Sequence, residues 1–132
     1  FAPIAYEIKS IDQLRGEVFG PVLHIIRYEA RDLDAVIDAV NRTGFGLTFG
    51  LQTRLTGRMN DMAARISAGN IYVNRTQIGA VVGVQPFGGQ GLSGTGPKAG
   101  GPHYLVRFAS EKVISVNTTA SGGNVALVSV ED

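Results

Sequence analysis

Cysteine is absent from all 132 residues. That excludes disulfides, thiolate metal sites and a cysteine nucleophile on this chain. A dominant charge sign is missing too: 12 Lys and Arg face 11 Asp and Glu, for a formal net charge of +1. Such a balance gives no reason to expect nucleic acid or an anionic membrane as partner. No apolar run approaches the roughly 18 residues that suggest a membrane span. Signal-peptide patterns, internal repeats and low-complexity tracts are absent as well. The two histidines, His24 and His103, lack acidic or cysteine neighbours at ligand spacing, so no metal site is expected.

What is present suits one soluble globular domain, with 44% hydrophobic and 17% charged residues. The chain opens on Phe1, and FAPIAYEI reads as a strand already under way, which leads us to expect a fragment of something longer. Residues 4–8 and 22–28 are predicted strands. Residues 31–43 are a predicted helix, with Asp32 as N-cap, Leu33, Val36, Ile37 and Val40 on one face, and Gly44 at the left-handed C-terminal position. Next comes a strand over 46–53, with Gly50 as a point of close packing. A second helix then carries Leu55, Met59, Met62 and Ile66 on one face and ends by Gly69. Residues 70–74 make a third strand. This alternation predicts a right-handed parallel crossover unit with both helices covering one sheet. One or two helical turns over 103–109 and a last strand over 111–117 complete the reading, before a tail from residue 118.

Nine of the 18 glycines lie in the stretch GAVVGVQPFGGQGLSGTGPKAGGP, residues 79–102. Glycine loses the most backbone entropy on folding, so a cluster needs a reason. Its position after a predicted strand end, where open α/β sheets place ligands, and its apolar Val81, Val82, Val84 and Phe87 argue against a slack linker. Gly89, Gly91 and Gly94 satisfy G-x-G-x-x-G, but GVQPF precedes them and Thr95-Gly96-Pro97-Lys98 sustains no helix, so a dinucleotide loop is not expected. Lys98 reads as a solvated loop lysine rather than an anion ligand. Ser93 lacks a nucleophile-elbow context, so a hydrolase triad with His103 is not expected. The triplets beginning at Asn41, Asn74 and Asn117 match N-x-S/T by coincidence, given no secretion signal. In EVFGPV, alternate residues of an extended backbone share a face, so Glu17 and Phe19 can present a carboxylate beside an aromatic wall. A carboxylate accepts two hydrogen bonds from a sugar diol, and a flat ring packs on an aromatic face. Taken alone, a surface glutamate and a core phenylalanine explain the pattern better.

EVFGPV, GFGLTFGLQT, GNIYVNR and QPFGGQGLSGTG occur here in an order that resembles the carboxyl-terminal part of an aldehyde dehydrogenase. The run IGAVVGVQPFGGQGLSGTGPKAGGPHYL resembles one branch, the L-glutamate-γ-semialdehyde (Δ1-pyrroline-5-carboxylate) dehydrogenases. The ending EKVISVNTTASGGN is similar to that of bacterial bifunctional proline utilization proteins. The resemblance implies an α/β fold: a partial dehydrogenase catalytic domain over residues 1–110, with a parallel sheet and flanking helices. Residues 111–132 would then be an oligomerisation strand and tail that pairs with a partner subunit, giving a homo-dimer or higher assembly. It implies NAD as cofactor, a small semialdehyde as substrate, and a bacterial cytoplasmic location, with peripheral membrane association open to the parent.

Residue by residue, the resemblance assigns Glu17 to the nicotinamide ribose hydroxyls and Phe19 to the nicotinamide face. Gly79 and Ala80 fall on the loop whose backbone N–H groups hold the substrate α-carboxylate. Ala80 stands where some members have serine, so a hydroxyl contact is lost. Phe87 falls on the aromatic wall for the aldehyde's aliphatic stem. Bare backbone approaches an anion closely, so Gly79 and Gly83 are expected to let the loop curl, while Gly88, Gly89 and Gly91 serve tight turning behind Phe87. The family's cysteine thiolate, general base and adenine-side cofactor site match nothing in this chain, so the expectation is no turnover and weak or no NAD binding by the chain alone. The competing expectation is a non-catalytic dimerisation or carboxylate-binding module that keeps the dehydrogenase-like fold.

Overall fold

The computed structural model describes residues 1–121. Four strands pair in parallel: β1 (Ile4–Glu7) with β2 (Val22–Ile25), and β4 (Thr48–Leu51) with β5 (Asn70–Val73). Two helices alternate with them, α1 (Leu33–Arg42) and α2 (Thr56–Arg65). A short antiparallel pair joins β3 (Phe45–Gly46) to β6 (Gln90–Gly91). The α/β class expected from the alternation is therefore the one observed.

The core is where helix and strand periodicities converge. Ile37 is 1% exposed and packs with Met62 and Ile66. Leu33 and Val40 of α1, Phe49 and Leu51 of β4, and Ile71 of β5 close around them. In β4, Phe49 and Leu51 lie two apart and so share the helix-facing side, leaving Gly50 on the other. There a Cβ on Gly50 would collide with the Gln77 carboxamide, which bears out its reading as a close-packing point.

Both helix ends are tied by side chains. Gly44 takes φ +74 after α1, the left-handed conformation that glycine adopts at least cost. The Asn41 carboxamide donates to the Arg65 carbonyl at 2.9 Å and accepts from the Ser67 amide at 2.8 Å, binding α1 to the last turn of α2. Arg65 donates to Asp34 at 2.7 Å and to Asp61 at 3.2 Å. The hydrogen bond to Asp34, ahead of the pairing with Asp61, raises the guanidinium pKa above its ordinary value. That contribution is complete below the unfolded-state value and would be lost only in strong alkali, so it is constant across the neutral range.

Several boundaries differ from the sequence reading. β2 stops at Ile25, and Tyr28 is exposed. The predicted strand over 46–53 is broken at Leu47 into two pieces that pair with different partners. Asp32 occupies the N-cap of α1 but makes no side-chain cap bond, because a 3-10 turn (Ala30–Asp32) leads in. A further 3-10 turn (Ile11–Gln13) carries a capping box between Ser10 and Gln13 that the sequence reading passed over. α2 ends at Arg65, before Gly69, and the turn predicted over 103–109 is a 3-10 turn (Leu105–Phe108).

Two corrections concern pairing. The single sheet predicted from the alternation is instead three two-stranded ladders, with β2 on β1 rather than beside β4. Hydrophobic pattern says which face of a strand is buried but not which edge it meets. Residues 111–117, predicted as a final strand, form no ladder and are exposed. An extended segment needs another edge to complete its hydrogen bonds, and none of the described residues supplies one. The tail beyond residue 121 lies outside the described residues.

Candidate functional site

β5 delivers the chain into the glycine-rich region, and polar residues at its two ends organise the loops there. At its start, the Asn70 carboxamide donates to the Pro86 carbonyl at 3.0 Å and accepts from the Gly88 amide at 3.0 Å. Phe87 sits between these two anchors. Its own amide and carbonyl exchange hydrogen bonds with Ala99 at 3.0 and 2.9 Å. The backbone of Phe87 is thus fixed from two sides while its ring is only half-buried.

At the other end of β5, Asn74 adopts φ +55, tolerated by asparagine better than by most residues. Its carboxamide exchanges two hydrogen bonds with Thr53, accepting from the amide and donating to the carbonyl, each at 2.9 Å. Arg75 comes next and stacks over the buried Tyr72 ring, 4.5 Å from the centroid. All three of its guanidinium nitrogens donate: to Gln85 Oε1 at 3.0 Å, to the Gly79 carbonyl at 3.3 Å and to the Thr76 carbonyl at 3.3 Å. Gln85 Oε1 also accepts from the Val81 amide at 3.0 Å. The turn closes through the Val84 and Gln85 amides on the Val81 carbonyl, with Gly83 at φ +79. Only glycine enters that region freely, in keeping with the expected curl. At Gly79 a Cβ would meet open space, so local crowding does not require glycine there.

Within this loop neither the Gly79 nor the Ala80 amide donates a hydrogen bond among the described residues. Backbone N–H groups left unspent in a tight loop are the usual equipment for binding a small anion. The Val82 side chain beside them is 96% exposed.

Glu17 and Phe19 are both exposed. Glu17 lines a cleft of about 600 Å³ with Asp12, Arg15, His24, Arg42 and Phe45. Its exposed carboxylate enters none of the ion pairs among the described residues. Phe19 is 88% exposed and does not line that cleft. Residues 17–19 belong to no strand, so the shared face expected from alternation is not enforced by a ladder. No residue from 79–87 lines the cleft either.

The remaining sequence candidates are occupied structurally. Ser93 Oγ accepts from the Gly46 amide at 3.0 Å, tying the glycine turn to β3. His24 stacks with Tyr6 at 6.4 Å. After Gly89, Gly91 and Gly94 no helix opens, so the dinucleotide-loop context is lacking here too. Among the described residues no group of three or more His, Asp or Glu side chains comes together as a metal site. Sequence reasoning missed Asn70, Arg75 and Gln85. The one available signal was polar residues bracketing an apolar strand immediately before a glycine-rich loop.

Parallel strand pairs with helical crossovers, and loops gathered beyond a strand end, are the parts of an α/β enzyme domain. Residues 8–114 match the aldehyde dehydrogenase family, and the chain belongs to that family. It is 61% identical over 108 residues to the bifunctional protein PutA of Rhizobium meliloti, covering 82% of this chain and 9% of that protein. Against 1-pyrroline-5-carboxylate dehydrogenase of Bacillus subtilis it is 42% identical over 102 residues, 77% of this chain and 19% of the relative. Among solved structures, a Bradyrhizobium japonicum proline utilization A variant superposes with TM-score 0.83 at 56% identity, covering 90% of this chain and 12% of that one. A Thermus 1-pyrroline-5-carboxylate dehydrogenase with bound NAD gives TM-score 0.72 at 38% identity, covering 81% and 21% respectively. The chain thus spans about a tenth of the PutA relatives and a fifth of the shorter dehydrogenases.

Proposed function

We propose that this chain is the carboxyl-terminal part of an NAD-dependent dehydrogenase that oxidises L-glutamate γ-semialdehyde to L-glutamate in proline catabolism. The observation that carries the reading is the loop at 79–85, in which the Gly79 carbonyl and the Val81, Val84 and Gln85 amides are hydrogen-bonded while the adjacent Gly79 and Ala80 amides donate to no described residue. The Gly79 and Ala80 amides hold the α-carboxylate of the substrate, each by a charge-assisted hydrogen bond. Phe87, fixed by Asn70 and Ala99, packs along the aliphatic stem and keeps water from it.

The chain's residues also fit one end of NAD. Glu17 offers an exposed carboxylate, unpaired among the described residues, that accepts from both hydroxyls of a ribose, and Phe19 offers an open aromatic face to a flat ring. When bound, NAD supplies the hydride acceptor. The nucleophile comes from outside this chain, which has no cysteine. Thiolate attack on the aldehyde carbon to give a hemithioacetal, and hydrolysis of the thioester left once hydride has departed, therefore require the rest of the parent protein.

The test is an assay of NAD reduction with L-glutamate γ-semialdehyde. The parent dehydrogenase carrying this chain turns over and the 132-residue chain alone does not. Calorimetry with NAD gives no measurable heat of binding for the chain alone. Turnover by the isolated chain, or a parent inert toward the semialdehyde, would overturn the proposal.

One observation favours an assembly role alongside this reading. Val113, Ile114 and Val116 are all exposed on a segment without a ladder. We assign 111–117 to strand addition between copies of the parent, where an unpaired edge gains main-chain hydrogen bonds. No helix among the described residues is long and apolar enough to cross a membrane.

A further inference from the structure

We propose that Arg75 and Gln85 act as one positioning device that aims the Ala80 amide at a substrate carboxylate and so sets preference for acid-bearing aldehydes. The inference rests on the functional reading above and adds the residues that make its binding loop selective. The guanidinium is immobilised before it reaches the loop. It lies on the Tyr72 ring, itself buried in β5, and its Nε donates to the Thr76 carbonyl. Its two remaining nitrogens reach the two ends of the loop, one to the Gly79 carbonyl and one to Gln85 Oε1.

Peptide geometry then fixes where the Ala80 donor points. None of the described peptide bonds is cis. In a trans peptide the carbonyl and the N–H of the next residue point to opposite sides. With the Gly79 carbonyl held toward Arg75, the Ala80 N–H must face away from the guanidinium. Gln85 Oε1 meanwhile takes the Val81 N–H. One neighbouring amide is thereby consumed and the other left as donor. A bare Gly-rich loop could rotate either peptide; the Arg75–Gln85 pair removes that freedom before substrate arrives, which is how preorganised donors gain their strength. Lysine cannot substitute, because a single ammonium lacks the planar fork that spans both acceptors.

The experiment uses the parent dehydrogenase with Arg75→Lys, Gln85→Met and the double change. Two readouts are taken. The first is kcat/KM for L-glutamate γ-semialdehyde divided by kcat/KM for an unbranched aldehyde of similar length lacking the carboxylate. Each single change lowers this ratio by about tenfold, mainly through KM for the semialdehyde. The double change lowers it no further, as expected for two residues acting as a unit. An equal loss on both aldehydes, an unchanged ratio, or additive losses overturns the proposal. The second readout is amide hydrogen exchange at Val81, which accelerates at least about tenfold in Gln85→Met when its acceptor is removed. Unchanged exchange there overturns the proposal whatever the activity shows. A parent inert toward the semialdehyde would instead sink the functional reading, and the exchange measurement would then decide the positioning claim alone.

Discussion

The segment from α1 to β5 and the segments on either side of it treat their apolar residues in opposite ways. Between residues 33 and 73, apolar faces meet each other, and the polar groups at the element ends are paired by Asn41, Arg65 and Asn74. At the two flanks, apolar side chains point outward: Phe1, Phe19 and Leu23 on one side, Leu105, Phe108 and Ile114 on the other. Leu105 alone is 81% exposed. A run of large apolar residues left in water is a surface made for contact. Burial is thus concentrated in the middle of the described residues, and exposed apolar surface at their two ends.

The largest expected effect on this contrast comes from Ile37→Ala. Ile37 is the most completely buried side chain, and removing it leaves a cavity between two helices and a strand pair. Unfolding free energy falls by about 2–5 kcal/mol. Leu23→Ala, on an exposed strand position, changes it by less than about 0.5 kcal/mol. Denaturant midpoints measured side by side check both, and equal losses would erase the distinction between centre and flank.

Asn41→Ala comes next. It leaves the Arg65 carbonyl and the Ser67 amide without their partner, at a cost of about 1–3 kcal/mol. Asn70→Ala is expected to lose a similar amount and, in the parent, to weaken semialdehyde binding through the misplaced Phe87. Thermal unfolding and KM together separate the two roles. Arg65→Gln costs less stability, because its pairs with Asp34 and Asp61 lie at a partly exposed surface; the difference from wild type shrinks as salt is added. Smallest of all is the stability change from Val113→Lys with Ile114→Lys, within about 0.5 kcal/mol, because neither side chain is buried within the chain. Sedimentation of the parent should nonetheless show loss of self-association. Retained assembly would mean that this flank is not the contact surface.

Most elements were legible before the structure because their signals are local. The i, i+3, i+4, i+7 spacing around Ile37 states a buried helix face, and Gly44 states its end. The break at Leu47 was not legible, since GLTFGLQT reads as one run and only the separate partners of β3 and β4 divide it. The same holds for the loop. Its glycines and Phe87 stood out in the sequence, and the family resemblance suggested roles for them. Asn70, Arg75 and Gln85 did not stand out, because a polar side chain acquires meaning only from the carbonyl or amide it reaches.

Amino-acid order was enough to state which residues of α1 turn inward, where α1 stops, and that no thiol chemistry resides in this chain. Those are properties of periodicity, backbone preference and composition, all of which act over a few residues. Folding in three dimensions was needed to choose which edges pair, and to decide that in the glycine-rich loop the Val81 amide is spent on Gln85 while the Ala80 amide is not. Hydrogen bonds between distant residues settle both, and their partners are chosen by the folded geometry rather than by neighbours along the chain.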